Sequence, residues 1–281
     1  MSSVLKVYSK ALEEGKAFNV LSSDLRLLIS YDMGWAEPID TLFHKDDEMT
    51  AEPLFLEQFE RLKKGEPVEY IINQTRFLHH RLYVDERVLI PRMETEELIA
   101  NISERIGNYY DPRNWLVCAD IGTGSGAIAI ALKSIFSNWL LTASDISSDA
   151  LEVAKKNIAD SNLRVQTLLG DGLQPYIDAN MNLDIIVSNP PYILNKDEVQ
   201  DSVKNFEPSS ALYLDKSHSV YEDIFSKCHK VKKGSLLMCF EIGYDLKDYL
   251  KDLMNQYLKD YEYEFIEDLN GLTRFLFVYL H

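Results

Sequence analysis

The sequence predicts an α/β protein in which a mostly parallel seven-stranded sheet, carrying one antiparallel strand, follows a small all-helical domain. Three observations point there. From Trp115 onward short apolar runs alternate with amphipathic stretches, before Ile72 the apolar residues recur at helical spacing, and the last two β-type runs have no helix between them. Strands alternating with helices imply a parallel sheet covered on both faces.

In chain order, helical spacing is set first by Val4, Leu5, Tyr8 and Leu12, then by Leu21, Leu25, Leu28 and Tyr31, then by Leu54, Phe55, Phe59 and Leu62. Helix-start residues precede two of these runs, Ser2-Ser3 and Ser22-Ser23-Asp24, and Gly65-Glu66-Pro67 ends the third. Arg76-Phe77-Leu78 and Leu82-Tyr83-Val84 form a β-hairpin connector over 76–90, separating a helical domain, 1–75, from the main domain, 91–281. Ile90-Pro91-Arg92 breaks the chain, and Glu94 to Ile106 is helical again.

The expected strands are Trp115–Ile121, Leu140–Ser144, Arg164–Leu169, Leu183–Ser188, Ser235–Ile242, Tyr263–Asp268 and Thr273–Tyr279. Helices are expected over Ala127–Phe136, Ser148–Asp160, Ser219–Val231 and Leu246–Leu258. A hairpin through Asn270-Gly271 would make one strand antiparallel.

Bulk composition narrows the function classes. With 46 % apolar and 26 % charged residues over 281 positions, this is an ordinary globular chain with room for two units. No apolar run approaches the ~20 residues of a membrane span, and the N-terminal stretch lacks a signal-peptide core, so the cytoplasm is the expected location. Cys118, Cys228 and Cys239 are scattered and read as core thiols. The net charge is −16, with 8 Lys and Arg against 14 Asp and Glu in residues 1–75 and 21 against 31 in the rest. Nucleic-acid binders usually carry a basic stripe, so a protein or small-molecule substrate is favoured.

The first motif is Asp120-Ile121-Gly122-Thr123-Gly124-Ser125-Gly126, between a strand and a helix. Its glycines permit a tight turn and close approach of a ligand to the main chain. Gly122, Gly124 and Ala127 also satisfy the dinucleotide pattern, so an adenosine ligand is implied without choosing its kind. Asp145, after the next strand, is placed for ribose hydroxyls, or for capping the helix that follows. Asp120 favours the cationic methionine end of S-adenosylmethionine over a pyrophosphate. Asp171, beside Gly172, could accept the adenine amino hydrogens or belong to a plain turn.

The second motif is Asn189-Pro190-Pro191-Tyr192, after the buried run Leu183–Ser188. Ligands of open α/β sheets bind beyond the carboxyl ends of strands, where this loop falls. Each residue before a proline is held extended, so the loop is stiff. It can present the Asn189 oxygen and a backbone carbonyl to the two hydrogens of a planar –NH2, with Tyr192 offering a flat face. Such a nitrogen is delocalised and needs activation and aim for methyl transfer. No Ser/His/Asp triad, P-loop or zinc spacing is present, and His79-His80 read as solvated.

With these motifs the chain resembles the HemK/PrmC family, the glutamine methyltransferases of peptide chain release factors. The likeness runs through Gly65–Ile71, Val88–Glu96, Glu207-Pro208 with Ala211-Leu212, Glu241-Ile242-Gly243, and Asp268–Gly271 with Arg274. It departs at Met93, where a second proline is usual, at Gly172, where an aromatic often covers the adenine, and over Tyr213–His218, where glycines are usual.

The resemblance implies a Rossmann-like class I methyltransferase domain behind a helical domain that docks the release factor. It also implies transfer from S-adenosyl-L-methionine, without a metal, to the glutamine of a Gly-Gly-Gln loop, leaving S-adenosyl-L-homocysteine. Asp120, Gly122, Thr123, Gly124, Ser125, Gly126, Asp145, Asp171, Gly172 and Asn189 are the expected donor contacts. Asn189, Pro190, Pro191 and Tyr192 would hold the glutamine, with Asn189, Pro190 and Tyr192 acting in catalysis. The alternatives are a ribosomal-protein glutamine, an adenine amino group in nucleic acid, and a release-factor-binding module with a vestigial enzyme.

Overall fold

The structure, a computed structural model, describes residues 2–195, 197 and 199–281, which cluster into two compact units. Met1–Gln74 with Val199–Phe206 form the first. Its helices are α1 (Val4–Gly15), α2 (Ser22–Asp32), α3 (Asp40–Phe43), α4 (Glu52–Lys63) and α5 (Val68–Ile71). Leu25, Leu28 and Ile29 of α2 are wholly buried against Val4 and Val7 of α1 and Phe55 and Phe59 of α4, the apolar faces that the periodicity marks out. Ser3 caps α1, its side chain accepting from the Lys6 N–H. At α2 the cap position falls to Leu21, so Ser22 starts that helix without capping it. Gly65, at φ +85°, ends α4 in the left-handed conformation glycine adopts without a Cβ penalty.

Thr75–Glu198 and Glu207–His281 form the second unit. It opens with an antiparallel hairpin, β1 (Thr75–Phe77) and β2 (His80–Leu82), and α6 (Met93–Arg105). Then come β3 (Val117–Ile121), α7 (Ala127–Ile135), β4 (Leu140–Asp145), α8 (Ser148–Ser161), β5 (Val165–Leu169), α9 (Gln174–Asp178) and β6 (Leu183–Ser188). The chain lends α10 (Asp201–Phe206) to the first unit before returning with α11 (Ser209–Leu212), α12 (Val220–Lys227), β7 (Lys232–Glu241), α13 (Lys247–Tyr257), β8 (Tyr261–Glu267) and β9 (Thr273–Leu280). The seven-stranded sheet has the order β5-β4-β3-β6-β7-β9-β8.

β9 runs antiparallel to both β7 and β8 and is the one reversed strand, as the missing helix between the last two strands predicts. Gly271, at φ +77°, makes the turn, and the Asp268 carboxylate ties it by accepting from the Asn270 and Leu272 N–H groups at 2.9 and 3.0 Å. Alternate residues of β3 feed the two faces: Cys118 joins a core with α6 and α7, and Ala119 joins a core with α12 and α13. That two-sided burial is why the strands read as continuous apolar runs.

Register places the site. Ile121 of β3 lies opposite Ser144 of β4 on one side and Ser188 of β6 on the other. The three strands therefore end together, and the residues after them emerge side by side. Chain order reverses direction across the sheet between β3 and β6, the switch point where open sheets leave a crevice. No helix among the described residues is long and apolar enough to cross a membrane.

Candidate active site

A cleft of about 1050 Å³, its open mouth included, lies at this switch point and is lined wholly by the second unit. Gly122, Thr123, Gly124, Ser125, Asp145, Asp171, Gly172, Asn189, Pro190 and Pro191 all line it.

The glycine loop is shaped by backbone conformation. Gly122 and Gly124 have φ of +72° and +53°, and nothing lies within 4 Å of where a Cβ would project, so the loop leaves an open cradle. The Gly122 and Thr123 N–H groups both donate to the Ser144 carbonyl at 2.9 Å, anchoring the turn to β4. Asp145 completes the anchor: its Oδ2 accepts from the Gly124 N–H and its Oδ1 from the Ser147 N–H, each at 2.9 Å. Burial raises its pKa above the ordinary carboxylate value. Ser147, rather than Asp145, caps α8, accepting from the Ala150 N–H at 3.1 Å. Each Asp145 oxygen keeps a lone pair for a ligand.

Three expected site residues do not line the cleft. Asp120 is wholly buried beneath the loop, where its Oδ2 accepts from the Thr123 hydroxyl at 2.6 Å and the Ala129 N–H at 3.1 Å. Burial pushes its pKa up to about 7. It shapes the loop from below, so complementarity to a cationic ligand is not direct contact. Gly126, at φ +85°, faces α8, with Ala154 Cα 3.5 Å from a would-be Cβ, so it serves helix packing. Tyr192 turns away: its hydroxyl donates to Glu241 Oε1 at 3.2 Å, and the Arg274 guanidinium lies 5.7 Å above its ring centre. One face of the ring is thus covered by an arginine.

Asn189 does reach the cleft, and its amide is held from behind. Nδ2 donates to Thr95 Oγ1 at 3.1 Å, and the Thr95 hydroxyl donates to Glu241 Oε2 at 2.7 Å. Glu241, at the end of β7, is wholly buried, which pushes its pKa up to about 7. The same carboxylate therefore anchors Asn189 through Thr95 and Tyr192 directly. Gly243 leaves room for this loop, since a Cβ there would stand 3.3 Å from the Tyr192 carbonyl.

Further residues of the site carry no sequence signal of their own role. Thr95 and Glu241 sit in segments of the family likeness, and Ile146, 67 % exposed beside the cleft, sits in none. Glu207 is buried and accepts from the Ile90 N–H at 3.3 Å while pairing with Arg92. It brings Val88–Pro91 and Pro208–Ala211 together as lining segments. Gly172 lines the cleft at φ +50°, and a Cβ there would fall 2.1 Å from Asp223 Oδ2. A side chain that could cover a ligand would require Asp223 to shift and would be strained at this positive φ. His79-His80 lie at the hairpin, away from the cleft.

Residues 113–221 match the Methyltransferase small domain family. The chain is 35 % identical to the release factor glutamine methyltransferase of Staphylococcus aureus over 241 residues, 84 % of each chain. It is 34 % identical to that of Bacillus subtilis over 268 residues, covering 91 % of this chain and 90 % of the relative. Among solved structures, the N-terminal domain of human METTL16 in complex with SAH superposes with a TM-score of 0.50 at 16 % identity, covering 79 % of this chain and 83 % of that one, a likeness of fold. On the strength of identity sustained over nearly its whole length, the chain belongs to the release factor glutamine methyltransferase family.

Proposed function

We propose that the protein methylates the side-chain amide nitrogen of the glutamine in the Gly-Gly-Gln loop of peptide chain release factors, with S-adenosyl-L-methionine as donor. One observation carries the proposal above the others: the glycine cradle, the Asp145 carboxylate and Asn189-Pro190-Pro191 line a single cleft. This supports a nucleoside site next to a site for a planar –NH2, as transfer between them requires.

The cleft fits the donor on its own chemistry. The open cradle over Gly122 and Gly124 admits a ligand against the main chain, and the lone pairs left on Asp145 can accept from ribose hydroxyls. Asp171 and the Gly172 backbone bound the adenine end, with Ile146 supplying an apolar face. When bound, the donor supplies an electrophilic methyl group and leaves as S-adenosyl-L-homocysteine. No metal is invoked.

The protein's own part is binding and aim. Asn189 Oδ1 and the Pro190 carbonyl accept the two amide hydrogens of the glutamine, which raises electron density on nitrogen and fixes its direction. Alignment of this kind supplies roughly 7–11 kcal/mol of barrier reduction where it is complete. The prolines keep both acceptors from relaxing. Tyr192 supports the loop through Glu241 and Arg274 instead of stacking on the substrate. The helical unit docks the body of the release factor, and the net charge of −16 favours this protein substrate over the adenine of a nucleic acid.

The test is incubation with methyl-labelled donor and purified release factor. Label should enter the factor and vanish when the loop glutamine is changed to alanine. Label that persists elsewhere, or that goes instead to a ribosomal protein or nucleic acid, refutes the assignment.

A further inference from the structure

An asparagine amide can sit either way round, and the two orientations are chemically opposite: one turns an acceptor to the cleft, the other a donor. For Asn189 the choice is made by residues behind it. Glu241 is wholly buried at the end of β7, and both of its oxygens face hydroxyls, Oε1 facing Tyr192 at 3.2 Å and Oε2 facing Thr95 at 2.7 Å. Above about pH 7, where Glu241 is ionised, it has no hydrogen to give, so both hydroxyls then donate. The single hydrogen of Thr95 is then committed to Glu241. Only lone pairs remain on Thr95 Oγ1, so the Asn189 atom 3.1 Å away must be the –NH2, and Oδ1 is left for the cleft.

We infer that Thr95 and Glu241 are positioning residues, a one-way hydrogen-bond relay that fixes the Asn189 amide with its oxygen turned to the substrate. The inference rests on the proposed role of Asn189 as acceptor of an amide hydrogen. Neither residue needs to touch the substrate nitrogen. The relay crosses three elements, from α6 through the loop after β6 to the end of β7, so tertiary packing holds its direction. Burial adds force to it. Reversing the Asn189 amide would set its oxygen against an oxygen with no hydrogen to offer, which leaves a shielded acceptor unmatched.

Removing a link has distinct consequences. Thr95→Val takes away the acceptor for the Asn189 –NH2, so the amide rotates freely. Thr95→Ser keeps the hydroxyl and the relay. In Glu241→Gln an –NH2 can face Thr95, which frees the threonine hydrogen to point at Asn189 and favours the wrong orientation.

Two measurements on the full chain test this. With asparagine-selective ¹⁵N labelling, the Asn189 side-chain amide, assigned by its loss in Asn189→Asp, should exchange slowly with solvent in the wild type and in Thr95→Ser, and fast in Thr95→Val. With donor and release factor, Thr95→Val and Glu241→Gln should each lower kcat roughly 10- to 100-fold, as small misplacements of a reacting group do, while KM for the donor moves far less. Thr95→Ser should restore kcat. Equal exchange in the wild type and Thr95→Val, or an unchanged kcat in Thr95→Val, overturns the inference. If Thr95→Val does not fold, the near-isosteric Glu241→Gln decides on the same readouts. Slow exchange that depends on Thr95, in a protein that does not methylate the release factor, leaves the relay standing and refutes the proposed function instead.

Discussion

The Asp145 carboxylate accepts the Gly124 N–H at 2.9 Å, so the end of β4 and the glycine loop after β3 form one rigid piece. Asp145→Ala would leave this donor and the Ser147 N–H without their acceptor. It would also remove the group proposed for the ribose. We expect S-adenosylhomocysteine affinity to fall about 10- to 100-fold, or ~1.4–2.8 kcal/mol, by titration calorimetry. Undiminished affinity would show that the nucleoside is held elsewhere.

Two glycines of one loop should separate stability from binding. Gly122→Ala and Gly126→Ala each put a Cβ on a residue with positive φ, at a cost of ~1–2 kcal/mol. That corresponds to a drop of about 2–8 °C in Tm for a domain of this size. The Gly126 methyl meets α8 at Ala154, so cofactor affinity should hold, whereas the Gly122 methyl enters the open cradle and should weaken it. Calorimetric titration of both variants at matched folded fraction would check the contrast.

Asn189→Ala removes one preorganised acceptor aimed at the substrate. Methyl transfer should slow by roughly 10²-fold or more, since loss of one such contact typically costs ~10²–10³ in kcat. Binding of S-adenosylhomocysteine should change little. Unaltered single-turnover rates would remove Asn189 from its assigned role.

Stability should fall as pH rises toward neutrality. Burial raises Asp120 from 3.8 to about 7 and Glu241 from 4.5 to about 7, so the folded protein holds protons that the unfolded chain has released. In that interval the folded state binds more protons, so the unfolding free energy declines with pH and levels off above about 7. Burial of Glu241 is only partly offset by hydrogen bonds from Thr95 of α6 and from Tyr192 and by the charge of Arg274 of β9, while the Glu94 carboxylate of α6 adds to the rise. Asp85 and Asp268 are pushed up by burial but pulled lower still by Arg87 and Arg274, so they finish titrating below this window. Urea unfolding between about pH 5 and about pH 8 should show the decline, and Asp120→Asn should lessen it, the Glu241 contribution remaining.

Much of the sheet was legible because strands buried on both faces must be apolar throughout: Leu183–Ser188 holds the bounds expected from its composition. Short helices such as α3, α5, α9 and α11 were not, since four or five residues carry no periodicity. In the site, Gly122, Gly124, Asp145 and Asn189 announced themselves by spacing relative to strand ends. Asp120 and Tyr192 belong to the same motifs but face inward, a direction that linear spacing cannot encode.

The sequence by itself determined the fold class, the family and the two loops that meet at the cleft. These follow from patterns local in the chain: alternating apolar runs, glycines where φ is positive, and prolines that hold Asn189 extended. Only the tertiary structure decided that Glu241, 52 positions past Asn189, and Thr95, 94 positions before it, stand behind the same amide. Parallel pairing brings β3, β6 and β7 to one edge, and burial then forces each polar group there to find a partner across elements. Neither a threonine nor a glutamate signals that role where it stands in the chain.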